Sequence, residues 1–432
     1  MVHCKIQCYF YIKNMHVLRR LGNKRREKRL SRHIARYIAQ QKEHRDATDL
    51  KNRRPVPRAV RAATSPQITK VVVNFPVTRK FSPEEFAAAV NNDAIAPSPL
   101  DRNLMTVNIG VHCTLVVAPG VQITLDMQRR ARFLHIRGGT ARFEGGANST
   151  FRVVNGVGQY APDDIPPDEG DELWTSAGMI RQDGGSLDIV GVTVECSMCE
   201  AEGAAGIYSA QGTINMWDAP GNVPAQLVVT DSVATKWAAG GMSIFETELN
   251  LYSGTGMVEI ARCVSDHHTG GFGMFNGALN LIGYKSKIYV HDCASGMDGQ
   301  STYKDPHSGG LMVGDWKTTG TPLINFLGSN STIDIRRCRA PYASAGNWKG
   351  AIITTLDKNI HIVLEGNSTY PYPPLQYENP LCACALRFKL VSQQGDVLKI
   401  SAKDNECYEF KPNVVCQPLT QTSDSSVNVV LV

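Results

Sequence analysis

Apolar residues in the middle of the chain recur in short alternating runs, a pattern typical of β-strands rather than of long helices. One unit reads as a Gly-Gly step before an apolar strand, then a Leu-Asn-Leu strand, then a Val-x-Ile-x-x-Cys strand and a loop. Because successive side chains of a strand point to opposite faces, the apolar positions of all three strands can fill one interior.

This unit repeats at intervals of 30 to 40 residues, which is typical of a solenoid. The glycines before the apolar strands are Gly206, Gly241, Gly271, Gly310 and Gly350, and an asparagine column follows at Asn215, Asn250, Asn280, Asn325 and Asn359. A cysteine follows three of these asparagines by thirteen residues, at Cys263, Cys293 and Cys338. We therefore predict an all-β, right-handed parallel β-helix with three strands per coil over residues 105–410. We expect the asparagines to stack as a hydrogen-bonded ladder and the cysteines to be small buried residues.

The segments outside the repeat differ in charge and pattern. Residues 1–61 hold 18 Lys and Arg against 4 Asp and Glu, so the net charge of +5 combines a basic leader with a mildly acidic body. We interpret residues 1–65 as a basic helical or disordered leader, which is open to three uses: a solvated extension, a targeting segment or a nucleic-acid-binding segment. We predict a capping segment over residues 66–104, with a helix starting at Ser82, and a C-terminal strand or tail over residues 411–432.

Composition limits the compartment and the partners. No apolar run approaches the ~20 residues of a membrane helix, and the apolar stretch Cys8–Ile12 is too short for a clear signal peptide. Apart from the leader, nucleic acid is disfavoured as a partner, and no pattern indicates an oligomeric state. The location is left open, and an extracellular or cell-surface location is favoured.

The glycine-punctuated coil resembles the right-handed parallel β-helix, or pectin-lyase-like, superfamily. The steps Gly240–Met242, Gly270–Phe272 and Gly309–Leu311 are also similar to the repeats of polymorphic outer-membrane-type surface proteins. The second repeat motif of those surface proteins, Phe-x-x-Asn, is absent at the expected places, and no cluster matches the calcium-binding acids of pectate lyases. The resemblance therefore implies a fold and leaves the function open.

One pair of loops carries residues suited to chemistry. Asp266 and His268 precede Gly271 at the same spacing at which Asp305 and His307 precede Gly310. If the coils stack, two Asp and two His meet about 5 Å apart. They could bind Ca²⁺ or another divalent metal, or form a carboxylate pair for glycosidic chemistry. The alternative is a duplicated turn in which Asp and Ser or Thr satisfy backbone N–H groups.

The loops after the cysteine column vary in length, which often marks a functional face of a solenoid. They take 8 residues after Cys263, 17 after Cys293 and 12 after Cys338. Candidate ligand-binding residues in such loops are Trp237, His267, Asp298, Tyr303 and Trp348. We expect a non-enzymatic surface or binding protein that presents this face to a carbohydrate or a protein. The alternative is a polysaccharide lyase or glycoside hydrolase that uses Asp266, His268, Asp305 and His307 as catalytic residues.

The Cys196-Ser-Met-Cys199 segment has the spacing of a redox or metal-binding pair. It lacks the βαβ context of a thioredoxin-like motif and has no second pair to complete a zinc site. A local disulfide could form if the chain is outside the cell.

Overall fold

The computed structural model describes residues 68–95, 103–158, 176–235, 239–266, 268–296, 308–314, 321–340, 344–355, 360–369, 384–392, 397–405 and 428–431. The leader that we predict over residues 1–65 lies outside these ranges. Within them, the strands form three sheets in which every strand pair is parallel, and each strand pairs with the equivalent strand of the next coil. This arrangement confirms an all-β parallel β-helix, whereas its handedness stays a prediction.

The largest sheet contributes two faces of the solenoid. The first face consists of Asn103–Asn108, Arg132–Arg137, Ile180–Asp183, Ile207–Ala210, Met242–Phe245, Phe272–Phe275 and Leu311–Gly314. The second face consists of Thr69–Phe75, Val111–Val117, Thr140–Glu144, Ser186–Val190, Thr213–Trp217, Glu248–Leu251, Ala278–Leu281 and Leu323–Phe326. Two longer strands, Gly346–Thr355 and Cys384–Ser392, continue this sheet; the first of them pairs with strands of both faces.

The other two sheets close the coil. The third face consists of Arg79–Phe81, Gln122–Asp126, Thr150–Val154, Thr193–Ser197, Gln226–Thr230, Met257–Ala261, Lys287–His291, Thr332–Arg336, Ile360–Glu365, Val397–Lys403 and Asn428–Leu431. The short face consists of two-residue strands, Val157–Gly158, Glu200–Ala201, Val233–Ala234, Val264–Ser265, Ala294–Ser295, Arg339–Ala340 and Ser368–Thr369. The three predicted strands per coil are present, and the short face is a fourth that we did not predict.

The inward side chains of successive coils form one apolar core. On the second face Leu249, Leu279 and Ile324 are fully buried and in register, and on the third face Val258 and Ile288 are. The column of Cys263, Cys293 and Cys338 is fully buried as well. The burial of these thiols agrees with the prediction that they act as small core residues.

The glycines before the apolar strands allow adjacent coils to approach closely. A Cβ atom on Gly271 would lie 2.4 Å from Val290 Cγ1 and 2.7 Å from the Gly310 carbonyl oxygen. A Cβ atom on Gly310 would lie 2.2 Å from the Ala345 carbonyl oxygen. Because no side chain fits at those distances, the repeat requires glycine there.

An aromatic cluster fills the first described coils. The helix Pro83–Val90 begins at Ser82, whose hydroxyl accepts from the Glu85 N–H while the Glu85 carboxylate accepts from the Ser82 N–H. This capping box orients the helix so that Phe86 is fully buried, with its ring centroid 5.6 Å from that of Phe75 and 5.7 Å from that of Phe133. The helix therefore supplies core to the first coils, as expected of a capping element; the segment boundaries stay predictions.

The register differs from the predicted one at the fifth glycine. Leu311 pairs with Gly346, so the strand starts four residues before Gly350. Asn325 then pairs with Thr354. The predicted continuation of the asparagine column to Asn359 is therefore wrong, because the Lys-Gly-Ala-Ile segment at Gly350 lies inside a strand and does not begin one. Within the described part of the chain, no helix is long and apolar enough to cross a membrane.

Candidate ligand-binding face

The loops in which we predicted a catalytic site are only partly described. Six of the nine predicted site residues, Trp237, His267, Asp298, Tyr303, Asp305 and His307, lie outside the described ranges. Thr269 forms a parallel bridge with Ser308, and the Ser308 N–H donates to the His268 carbonyl oxygen at 2.8 Å. The two loop copies therefore stack in the predicted register, whereas the grouping of their Asp and His side chains stays a prediction.

Three predicted site residues lie within the described ranges: Asp266, His268 and Trp348. Asp266 follows the short strand Val264–Ser265 and is half-buried, and His268 is fully buried. Trp348 lies in the strand Gly346–Thr355, in register with the inward residue Val313, and its Nε1–H donates to the Leu311 carbonyl oxygen at 3.2 Å. The predicted loop position of Trp348 is wrong, because the shifted register turns the indole into the core.

The second face carries a ladder of amide side chains along the solenoid axis. We call Asn215, Asn250, Asn280 and Asn325 the amide column. Each Nδ2 donates to the Oδ1 of the preceding asparagine, at 3.0 Å, 2.7 Å and 2.7 Å in chain order. This confirms the ladder over these four residues. The column ends on Asp188, whose Oδ1 accepts from Asn215 Nδ2 at 2.8 Å. Because every bond runs in one direction toward a carboxylate, each amide polarises the next.

A second column lies two residues after each asparagine, at the last residue of the strand Thr213–Trp217 and directly after the ends of the next three strands. We call Trp217, Tyr252, Ile282 and Leu327 the apolar column. Trp217 is 39% exposed and Tyr252 is 36% exposed. Their rings stack with centroids 3.7 Å apart and planes 4° apart. The backbone N–H groups of Tyr252, Ile282 and Leu327 donate to the preceding coil, so the apolar column continues from coil to coil beside the amide column.

An open groove of about 510 Å³ continues this surface toward the N-terminal coils. His112, Arg142, Asp188, Asn215 and Trp217 are among its lining residues. Arg142 Nε donates to Glu144 Oε2 at 2.9 Å, and Ser186 Oγ donates to Asp188 Oδ1 at 2.7 Å. The groove crosses four in-register strands, which places its ends roughly 14 Å apart at the usual strand spacing. We call the groove and the two columns together the binding face.

The sequence contained only part of the signal for the binding face. The asparagine repeat predicted the ladder. The large apolar residue two positions after each asparagine was a second signal that the sequence contained. The groove could not be found in this way, because Arg142 and Asp188 occupy the asparagine position in coils that depart from the repeat.

A buried histidine on the first face is a further chemical group. His135 is 3% exposed, its Nε2 lies 2.7 Å from Asp183 Oδ2, and its Nδ1 accepts from Arg137 Nε at 3.2 Å. Burial and, to a smaller extent, the nearby charges of Arg132 and Arg181 lower the pKa of His135 to about 4, against the opposing effect of Asp183. The imidazole is therefore neutral near pH 7, with Nε2 carrying the proton that it donates to Asp183. Because both ring nitrogens are engaged, this histidine lacks the open lone pair that a general base requires.

The described residues contain no group of three or more His, Cys, Asp or Glu side chains able to hold a metal ion. Comparison with known proteins also leaves the function open: no family model, no curated protein and no solved structure matches the chain. The fold assignment therefore depends on the sheet topology, and the functional argument on the residues of the binding face.

Proposed function

We propose that this β-helix is a non-enzymatic binding protein and that its binding face holds an extended carbohydrate chain. The observation that supports the proposal is the pairing of the amide column with the exposed, stacked rings of Trp217 and Tyr252 in one register. The amide column repeats at the strand spacing along the solenoid axis, so it offers similar contacts to successive units of a polymer, and Trp217 and Tyr252 add aromatic surface beside its first two members.

The chemistry of the two columns suits sugar rings. A pyranose has an apolar C–H face that packs on aromatic surface, here the outer faces and edges of the stacked Trp217 and Tyr252, and a rim of hydroxyl groups that donate and accept hydrogen bonds. Each Asn side chain has two N–H donors and two acceptor lone pairs, and the ladder uses one N–H of each amide. The remaining donor and lone pairs of the half-buried Asn280 and Asn325 can meet ligand hydroxyls, whereas Asn250 is 6% exposed and Asn215 also donates to Ser186 Oγ.

The charged groups of the groove are held in place by neighbouring side chains. Arg142 contacts Glu144, and Asp188 accepts from both Ser186 and Asn215. These contacts hold the charged groups in fixed positions as hydrogen-bonding partners for a ligand. The alternative, a polysaccharide lyase or glycoside hydrolase based on Asp266 and Asp305, requires Asp305, which lies outside the described residues. A protein ligand and an adhesin-like role at a cell surface are compatible with the same face.

The test is a glycan-array and polysaccharide-depolymerisation screen on the full chain, with and without Ca²⁺. A Trp217→Ala/Tyr252→Ala double variant should lose glycan binding. The matched control is Tyr289→Ala, which removes another stacked aromatic ring, paired with His291 on the third face. Equal binding by the double variant and the wild type would refute the assignment to the binding face. Depolymerisation that disappears in an Asp266→Ala/Asp305→Ala variant would replace the proposal with the enzymatic alternative.

A further inference from the structure

We propose that Cys196 and Cys199 are a site of oxidative modification, at which the two thiols form a disulfide across the corner between the third face and the short face. The inference is independent of the proposed function. It depends on the geometry of this one corner and on the contrast with the other cysteines of the same core.

The fold brings the two sulfur atoms together within one coil. Cys196 lies in the strand Thr193–Ser197, and Cys199 directly precedes the strand Glu200–Ala201. Between them Met198 adopts a left-handed conformation, with φ of 56°. The Sγ atoms are 3.0 Å apart, and the residues are 0% and 1% exposed. Since a disulfide bond is about 2.05 Å long, closing it requires the two sulfurs to approach by only about 1 Å.

Three other described core thiols follow Cys199 in the same column, and Cys199 makes the same kind of backbone contact as they do, to the Ser197 carbonyl oxygen at 3.7 Å. Cys263, Cys293 and Cys338 each donate to the carbonyl oxygen two residues earlier, at 3.4 Å, 3.3 Å and 3.4 Å. They lie in successive coils, so stacking places neighbouring members about 4.8 Å apart. The coil after Cys199 has Ser232 at the same position, and its hydroxyl accepts from the Cys199 N–H at 3.3 Å. Cys196 is therefore the thiol that the fold presents to Cys199.

The reaction is a thiol–disulfide exchange with a small disulfide such as glutathione disulfide as the oxidant. The thiolate of one cysteine attacks a sulfur of the oxidant, which forms a mixed disulfide and releases one glutathione thiolate. The second cysteine thiolate then attacks the protein sulfur of the mixed disulfide and releases the other glutathione. Two electrons pass to the oxidant, and the two thiol protons end on the two glutathione molecules.

Burial determines when the Cys196–Cys199 disulfide can form and how well it resists reduction by external thiols. Burial, together with the neighbouring Cys199 thiol, raises the pKa of Cys196 well above that of a free thiol, so the folded protein holds little Cys196 thiolate. We expect the bond to form while the chain folds and the corner is still accessible. Once the core has closed, the same burial keeps external thiols away from the bond.

Digestion with trypsin gives a direct readout. The chain has no Lys or Arg between Arg181 and Lys236, so one peptide, 182–236, carries Cys196 and Cys199 and no other cysteine. A second peptide, 263–285, carries Cys263 alone and is an internal control. The full chain is refolded in a glutathione redox buffer, and the folded fraction is isolated, denatured, alkylated and digested. The mass of each peptide then gives the number of alkylated thiols.

We expect peptide 182–236 without alkyl groups and two hydrogen masses lighter than its reduced form, while peptide 263–285 is alkylated. Alkylation of both cysteines in peptide 182–236 would overturn the proposal. A Cys199→Ser variant adds a second measurement. The oxidised wild type should melt at a higher temperature than the reduced wild type, and this difference should disappear in the variant. An equal difference in the variant would show that another cysteine pair causes it.

Discussion

The amide column makes a quantitative prediction, because its internal members make two hydrogen bonds and its last described member makes one. Asn250 donates to Asn215 at 3.0 Å and accepts from Asn280 at 2.7 Å. Asn325 donates to Asn280 at 2.7 Å. A hydrogen bond of this kind contributes about 1 kcal/mol net. We expect Asn250→Ala to lower the free energy of unfolding by about 2 kcal/mol and Asn325→Ala by about 1 kcal/mol.

A double-mutant cycle on Asn250 and Asn280 sharpens this prediction. Each single change to Ala removes two ladder bonds, but the double change removes three, because the bond between the two residues is shared. The double variant should therefore be about 1 kcal/mol less destabilised than the sum of the single variants. Urea unfolding followed by circular dichroism measures the free energies, with equal m-values as the check that the variants unfold alike.

Two results would refute the reasoning. If Asn325→Ala were as destabilising as Asn250→Ala, the count of ladder bonds would not determine the cost. If the cycle were additive, the two amides would not be coupled, and the column would be a row of independently solvated side chains. The same variants can be tested for glycan binding, which separates the stabilising role of each amide from contact with a ligand.

Three further predictions concern the core, the coil spacing and the third face. Phe86→Ala should lower the free energy of unfolding by about 3–5 kcal/mol, because it leaves a cavity among the buried rings of the first described coils. Hydrogen exchange should show reduced protection of the backbone amides in those coils and little change near Ile333. Gly271→Ala should cost about 1–3 kcal/mol from the clash with Val290, whereas Gly314→Ala, whose nearest contact would be at 3.8 Å, should be nearly neutral in the same urea assay. Hydrogen bonds from His291 to Glu259 and Asp292 raise the pKa of His291 in the folded protein, against the effect of burial. The stabilisation that protonated His291 provides is therefore complete below about pH 6.5, the usual pKa of an unfolded histidine. It is lost as the pH rises through the raised pKa of the folded protein. The stability difference between wild type and His291→Gln should therefore shrink from pH 6 to pH 9, and a constant difference would contradict the assignment.

The sequence predicted the coil wherever the repeat is regular. Between Gly241 and Cys338, the glycine, asparagine and cysteine positions determine the register, because each occupies a place where the backbone, the ladder or the core requires that residue. The short face was missed because a two-residue strand such as Val264–Ser265 is too short to show alternation. Trp348 was misplaced because Gly350 resembles the glycine that begins a coil. The pairing of Leu311 with Gly346 shows instead that Ala345 occupies the position equivalent to Gly310 in the next coil.

The site was harder to predict than the fold for a related physical reason. Core positions are restricted by packing, so a repeat preserves them and makes them visible, whereas outward positions are free to change from coil to coil. On the second face, the outward column that holds Asn in four coils holds Arg142 and Asp188 in the two preceding coils. The face therefore changes along the axis from a charged groove to an uncharged amide ladder without any change in the backbone. A ligand that spans the whole face, from His112 to Asn325, crosses seven strands, or roughly 29 Å at the usual spacing. An extended polymer can follow the face over that length, so the length of the face and the chemistry of its two columns favour the same class of ligand.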